Sequence, residues 1–196
     1  MMNNVIVKNM KTAVIVHGMI SKEEYAQNPI SSQDHWYPWL KKELSLHNIS
    51  CEIPQFPEPY DPVYEKWCAV FEQYKIDQNT VLIGHSLGAG FLVRWLSENK
   101  VLVGKVMLVA PFLDPDHDEV RSDFFNFAID NRMWEKTQGL HLFISSDDDQ
   151  EILTSANQIR IAVKEITVKE FSNRGHFTFD DMKTDEFPEL LNMILN

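Results

Sequence analysis

The sequence predicts a single α/β domain: a six-stranded, mostly parallel sheet flanked by helices on both faces. Three observations carry this. Apolar runs of strand length alternate with segments of helical periodicity along the whole chain. Most of the strand runs are near-continuously hydrophobic, as in a sheet covered on both faces. The chain has 196 residues, 44% hydrophobic and 24% charged, which is enough to bury one core without disulfides or a structural metal.

The elements follow in order. TAVIVH (12–17) is a short β-branched strand bounded by Gly18, and residues 33–48 place Trp36, Trp39, Leu40 and Leu44 at helical spacing. CEIP (51–54) is a strand ended by Pro54, and 61–76 is helical through Val63, Trp67, Val70, Phe71 and Tyr74. NTVLIG (79–84) is a buried strand, followed by a helix over 86–99 with Leu87, Phe91, Leu92 and Trp95 on one face. VGKVMLVAP (103–111) is a strand stopped by Pro111, and GLHLFISS (139–146) is the fifth. A helix over 151–163 carries Ile152, Ala156, Ile159 and Val163; ITVKEFS (166–172) is the last strand, and 184–195 closes as a helix. The longest connection without a strand, 112–138, is expected to hold a helix and to form a small cap. Residues 1–11 are open between an edge strand and a loose arm. No repeat or linker divides residues 1–196, so one domain is expected.

Composition removes several classes of function. Eighteen Lys+Arg against 29 Asp+Glu gives a net charge of −11, which repels phosphate backbones and argues against nucleic-acid binding. Cys51 and Cys68 are too few for a disulfide framework and are read as reduced thiols. The N-terminal apolar run is too short for a secretory signal, and no run reaches a membrane span, so a cytoplasmic protein with no membrane partner is expected. No metal motif is present; DPDHD (114–118) matches no ion-binding loop and is read as a solvated turn.

Ligands of an open parallel sheet bind beyond the carboxyl ends of its strands. Chemistry is therefore expected at His17-Gly18, Gly84 to Gly88, Asp147 to Asp149 and Gly175-His176. Four of the seven glycines lie at three of these places, and Gly90 follows two residues after Gly88. The strongest signal is G-x-S-x-G in VLIGHSLGAGF, between a strand and a helix. There a serine occupies a tight turn with its hydroxyl projecting at the sheet edge, and the helix aims its N–H groups at an oxyanion forming on the substrate. Neither a phosphate loop nor a dinucleotide fingerprint fits the spacing. Serine is a weak nucleophile and needs a base, itself oriented by an acid. His176, after the last strand, is the expected base for Ser86. His17 and His85 are read as packing and supporting groups. The acid lies among Asp147, Asp148 and Asp149, with Asp114 as a further candidate. The expected oxyanion donors are the backbone N–H groups of Leu87 and Met19.

With these motifs in hand, VIVHG, LIGHSLGAG, LVAPF, ISSDDDQEI and NRGHF, the chain resembles the small single-domain serine hydrolases of the α/β-hydrolase fold, the group that includes the retinoblastoma-binding serine hydrolase and bacterial relatives. The resemblance runs from about residue 12 to the end. It implies the minimal α/β-hydrolase fold, a mechanism without cofactor, Ser86 as nucleophile and His176 as base. In that family the acid stands three positions ahead of an apolar residue that completes a D-D-P-x-V pattern. Asp148-Asp149-Gln150-Glu151-Ile152 takes this register and maps the acid to Asp149. Gln150 replaces the usual proline, which loosens the loop and keeps Asp148 as the second choice.

The expected function is cleavage of a small-molecule ester or amide by a Ser86–His176–Asp149 triad through an acyl-enzyme. A non-catalytic protein-binding module on the same scaffold, and an acyltransferase, are the alternatives. Trp36, Phe112, Trp134 and Phe177 are candidate pocket walls.

Overall fold

The computed structural model describes residues 10–27, 35–117 and 122–196. Strands β1 (Thr12–Val16), β2 (Ser50–Glu52), β3 (Thr80–His85), β4 (Lys105–Val109), β5 (Gly139–Ser145) and β6 (Thr167–Phe171) form one sheet in the order β2-β1-β3-β4-β5-β6. Every neighbouring pair is parallel. All six residues of β3, in the middle of the sheet, are buried. That accounts for its unbroken apolar reading.

The helices are α1 (Lys22–Gln27), α2 (Tyr37–Leu46), α3 (Tyr64–Phe71), α4 (Leu87–Glu98), α5 (Gln150–Ala162), α6 (Phe179–Met182) and α7 (Pro188–Leu195). Aromatic contacts divide several of them into two groups. Trp36, at the start of α2, meets Phe187, at the start of α7, with ring centroids 5.8 Å apart. Phe71 of α3 meets Phe91 and Trp95 of α4 at 5.3 and 5.0 Å.

Three helices, α2, α3 and α7, start later than their periodicity suggests, and α3 also ends earlier. Pro38 and Pro188 stand in the first turns of α2 and α7, where a missing N–H does no harm. Residues 33 and 34 lie outside the described residues. In the 112–138 segment the described residues form two 3-10 turns, Ser122–Phe125 and Met133–Lys136, instead of an α-helix; 118–121 lie outside the described residues. This segment is fastened to α4: Arg94 Nη1 donates to the carbonyls of Asp123 (2.7 Å) and Phe124 (2.9 Å). The N-terminal arm falls outside the described residues except Met10, which is buried, and Lys11.

The topology also fixes where a ligand can sit. From β1 the chain moves outward to β2, then crosses to β3 on the other side of β1. Connections therefore leave β1 and β3 in opposite directions, and a crevice opens between their carboxyl ends.

Candidate active site

Ser86 stands at that crevice, between β3 and α4, with φ 54° and ψ −121°. A side-chain-bearing residue holds such a conformation only when its surroundings impose it, at a cost of about 1–3 kcal/mol. Here four hydrogen bonds impose it. Its N–H donates to the Val109 carbonyl (2.9 Å), and its carbonyl accepts from Ala89 (3.0 Å), Gly90 (3.1 Å) and Phe112 (3.1 Å). The flanking glycines let α4 descend onto the strands. A Cβ on Gly84 would lie 2.5 Å from the Ala89 Cα, and one on Gly88 would overlap the Val16 carbonyl.

His176 follows β6 and is brought to the same pocket as Ser86. Its Nδ1 lies 3.1 Å from both carboxylate oxygens of Asp148, whose side chain is 1% exposed. Asp148 Oδ1 also accepts the Asp149 N–H at 2.7 Å, which fixes the carboxylate. The partner of the imidazole is thus Asp148, and the expected Asp149–His176 pairing is corrected. Asp149 is exposed and stands at the N-cap of α5. Asp149 begins α5 without a side-chain cap hydrogen bond, and its predecessor faces His176.

Two further carboxylates shape the histidine loop. Asp147 Oδ1 accepts from the Ser145 hydroxyl and from the Gly175 N–H (3.2 Å). These bonds hold its carboxyl below the usual range, the Ser145 bond most of all. Asp181 Oδ2 accepts the His176 N–H (2.9 Å) and the Thr178 hydroxyl (2.7 Å). Among the described residues, no hydrogen bond joins Ser86 Oγ to His176.

Across the crevice lies the loop after β1. His17 is fully buried, and its Nε2 accepts the Phe56 N–H at 3.1 Å. The proton of the neutral ring is therefore on Nδ1, which donates to the Gly18 carbonyl at 2.8 Å. Burial pushes the His17 pKa down to about 4, so the ring is neutral at pH 7. In a trans peptide the carbonyl and the following N–H point in opposite directions. With the Gly18 carbonyl turned to His17, the Met19 N–H faces away from that ring. Gly18 itself comes close to the serine: a Cβ there would lie 3.2 Å from Ser86 Cβ. Leu87 is the first residue of α4, and the first N–H groups of a helix have no partner within it.

The pocket shared by Ser86 and His176 has a volume of about 80 Å³ and is also lined by Met19, Ile20, His35, Tyr37 and Thr178. A second, wider groove of about 560 Å³ continues past Met19, Ile20, His35 and Thr178 towards Glu24, Phe179 and Asp180. None of the four aromatics expected as walls lines the first pocket. Trp36 and Phe177 are fully buried in the core, where Phe177 stacks on Phe187 at 5.4 Å. Phe112 packs on Phe125 at 5.5 Å, and Trp134 lies in the second 3-10 turn, 38% exposed. Large aromatics belong in cores first, and the pocket takes their smaller or more polar neighbours. Asp114 borders a different pocket, with Leu113, His117 and Asp123. His35 and Tyr37 were not legible as pocket residues. Tyr37 follows a core tryptophan at the start of a helix, and only the fold brings it beneath His85 and Gly18.

Among the described residues, no cluster of three or more His, Cys, Asp and Glu is placed to hold a metal ion. No helix among them is long and apolar enough to cross a membrane.

Known proteins resemble this chain over most of its length. Residues 14–194 match the model of the serine hydrolase family. YdeN of Bacillus subtilis, which carries a hydrolase name, is 27% identical over 176 residues, 87% of this chain and 88% of that protein. The rat serine hydrolase RBBP9 is 26% identical over 166 residues, 81% of this chain and 84% of that protein. The crystal structure of the B. subtilis ydeN product superposes with a TM-score of 0.79 over 94% of this chain and 97% of that one, at 24% identity. Est1E of Butyrivibrio proteoclasticus, solved with ferulic acid bound, shares the fold at a TM-score of 0.65 and 11% identity, over 95% of this chain and 87% of that one. A match of this extent, over a fold with serine, imidazole and carboxylate gathered at one end of its sheet, places the chain in the serine hydrolase family.

Proposed function

We propose that the protein hydrolyses small carboxylic esters or amides through an acyl-enzyme on Ser86, with His176 as general base and Asp148 as the acid that orients it. The observation that carries this reading is the buried Asp148 carboxylate on Nδ1 of His176, in the pocket where Ser86 is held in a strained turn. With Nδ1–H engaged, the lone pair of the neutral imidazole is on Nε2. That nitrogen takes the Ser86 proton as Oγ adds to the substrate carbonyl, and the Oγ–His176 contact closes when substrate binds. The tetrahedral oxyanion is met by the N–H groups of Leu87 and Met19. His176 returns the proton to the leaving alcohol or amine as the carbonyl reforms. Water then adds to the acyl-enzyme with the same base, and the acid leaves as Ser86 regains its proton.

Pocket size supports a short acyl group. About 80 Å³ is well below the roughly 300–1,000 Å³ of sites for drug-sized ligands. The adjoining groove of about 560 Å³ is where the larger leaving group belongs. The test is steady-state hydrolysis of p-nitrophenyl acetate, butyrate and octanoate by wild type and Ser86→Ala. Wild type is expected to prefer the shorter esters, and Ser86→Ala to lose at least 1,000-fold in kcat. Equal rates for wild type and Ser86→Ala would refute the assignment.

A further inference from the structure

Beside Ser86, two side chains that line its pocket, Tyr37 and His85, join the two loops of the site. His85 is fully buried, and its Nε2 lies 2.8 Å from the carbonyl oxygen of His176. A carbonyl can only accept, so Nε2 carries a proton. In the neutral ring Nδ1 is then an acceptor. Its partner is the hydroxyl of Tyr37, 2.6 Å away. The Tyr37 oxygen in turn accepts the Gly18 N–H at 3.4 Å. Each polar group has one consistent role, and the run has one direction: Gly18 N–H to Tyr37 Oη, Tyr37 O–H to His85 Nδ1, His85 Nε2–H to the His176 carbonyl. Burial, together with the neighbouring His176, His35 and His17, keeps the His85 pKa well below that of a free imidazole, so the ring is neutral.

The chain spans the crevice. Gly18 belongs to the loop that presents the Met19 N–H, and His176 is the base. The His176 residue is then held at three points: Nδ1 by Asp148, N–H by Asp181 and carbonyl by His85. The His85 ring also packs against the His176 ring, centroids 5.1 Å apart. We propose that Tyr37 and His85 are positioning residues that set the distance between the oxyanion loop and the general base by tying Gly18 to the His176 main chain. This rests on the hydrolase reading above. It deepens that reading by giving His85, inside the G-x-S-x-G turn, a role apart from packing.

The decisive variant is Tyr37→Phe, which removes one oxygen and keeps the ring contacts. Misplacing a catalytic group by a fraction of an ångström lowers the rate without changing ground-state binding much. For a short p-nitrophenyl ester, kcat is expected to fall about tenfold with KM within twofold of wild type, and fluorophosphonate labelling of Ser86 to slow in step. A folded Tyr37→Phe with wild-type kcat overturns the proposal and leaves the hydrolase reading intact; failure of wild type to label or turn over overturns both. Two measurements do not depend on that variant folding. In imidazole ¹⁵N spectra of wild type at pH 7, His85 is expected as the neutral Nε2–H tautomer with a hydrogen-bonded, unprotonated Nδ1. An Nδ1–H tautomer or a charged ring there overturns the chain. His85→Gln, which keeps an N–H donor, is expected to retain several-fold more kcat than His85→Leu, and equal losses in the two count against it.

Discussion

A single position separates Asp149, the acid expected from the sequence, from Asp148, the carboxylate found on His176. Three consecutive aspartates follow β5, and each has a different task. Asp147 holds Gly175, Asp148 holds the imidazole and Asp149 begins α5. The run was legible as the place of the carboxylate that meets His176, because ligand groups of a parallel sheet follow its strands. Which member meets the imidazole was not, because adjacent residues at a helix start point in different directions and only the folded chain fixes them. The two residues are expected to behave very differently. Asp148→Asn retains the shape but not the charge that stabilises the imidazolium, and kcat is expected to fall by roughly 1,000- to 10,000-fold, as for other triad acids. Asp149→Asn is expected to stay within threefold of wild type, since its exposed side chain makes no cap hydrogen bond and His176 is held by Asp148 instead. Ester hydrolysis by the two purified variants decides between them.

At the scale of elements, the six strands and the longer helices were legible because their apolar spacing is set by burial that the finished fold supplies. The misses are the short pieces. α1 and α6 have no buried residue among them, so no periodicity marks them. The 112–138 segment makes 3-10 turns around Phe124, whose ring is buried against Trp67 at 5.3 Å. The turn between β3 and α4 is the opposite case, since its chemistry is written in its glycines. Gly88→Ala would drive a methyl group into the backbone at Val16 and His17, at the end of β1. Backbone cannot move aside as a flexible side chain does. A loss of at least about 2 kcal/mol in unfolding free energy is expected, as for overpacked cores. Urea denaturation measures it. Wild-type stability in Gly88→Ala would contradict the close approach of α4 to β1.

For the whole molecule, buried neutral imidazoles couple stability to pH. His17 titrates at about 4 in the folded state and His85 well below its ordinary value, both chiefly because burial disfavours the charged ring. In the unfolded chain both titrate near 6.5. The stabilisation is therefore fully present above pH 6.5 and is lost as pH falls toward 4, because the unfolded chain binds the protons first. Between pH 6 and 5 the unfolding free energy is expected to drop by on the order of 1 kcal/mol per buried imidazole. Urea titrations across that range check this, and a flat profile would mean that these rings are already charged or exposed. The same neutral rings frame the pocket of Ser86, so the architecture of the sheet end and the proposed chemistry stand together. The most direct test is mass spectrometry of the protein after reaction with a fluorophosphonate, with peptide mapping of the adduct. A single adduct on Ser86, absent from Ser86→Ala and formed far more slowly in Asp148→Asn, is the expected result. No adduct on the folded wild-type protein, or an adduct on another residue, would contradict an activated Ser86.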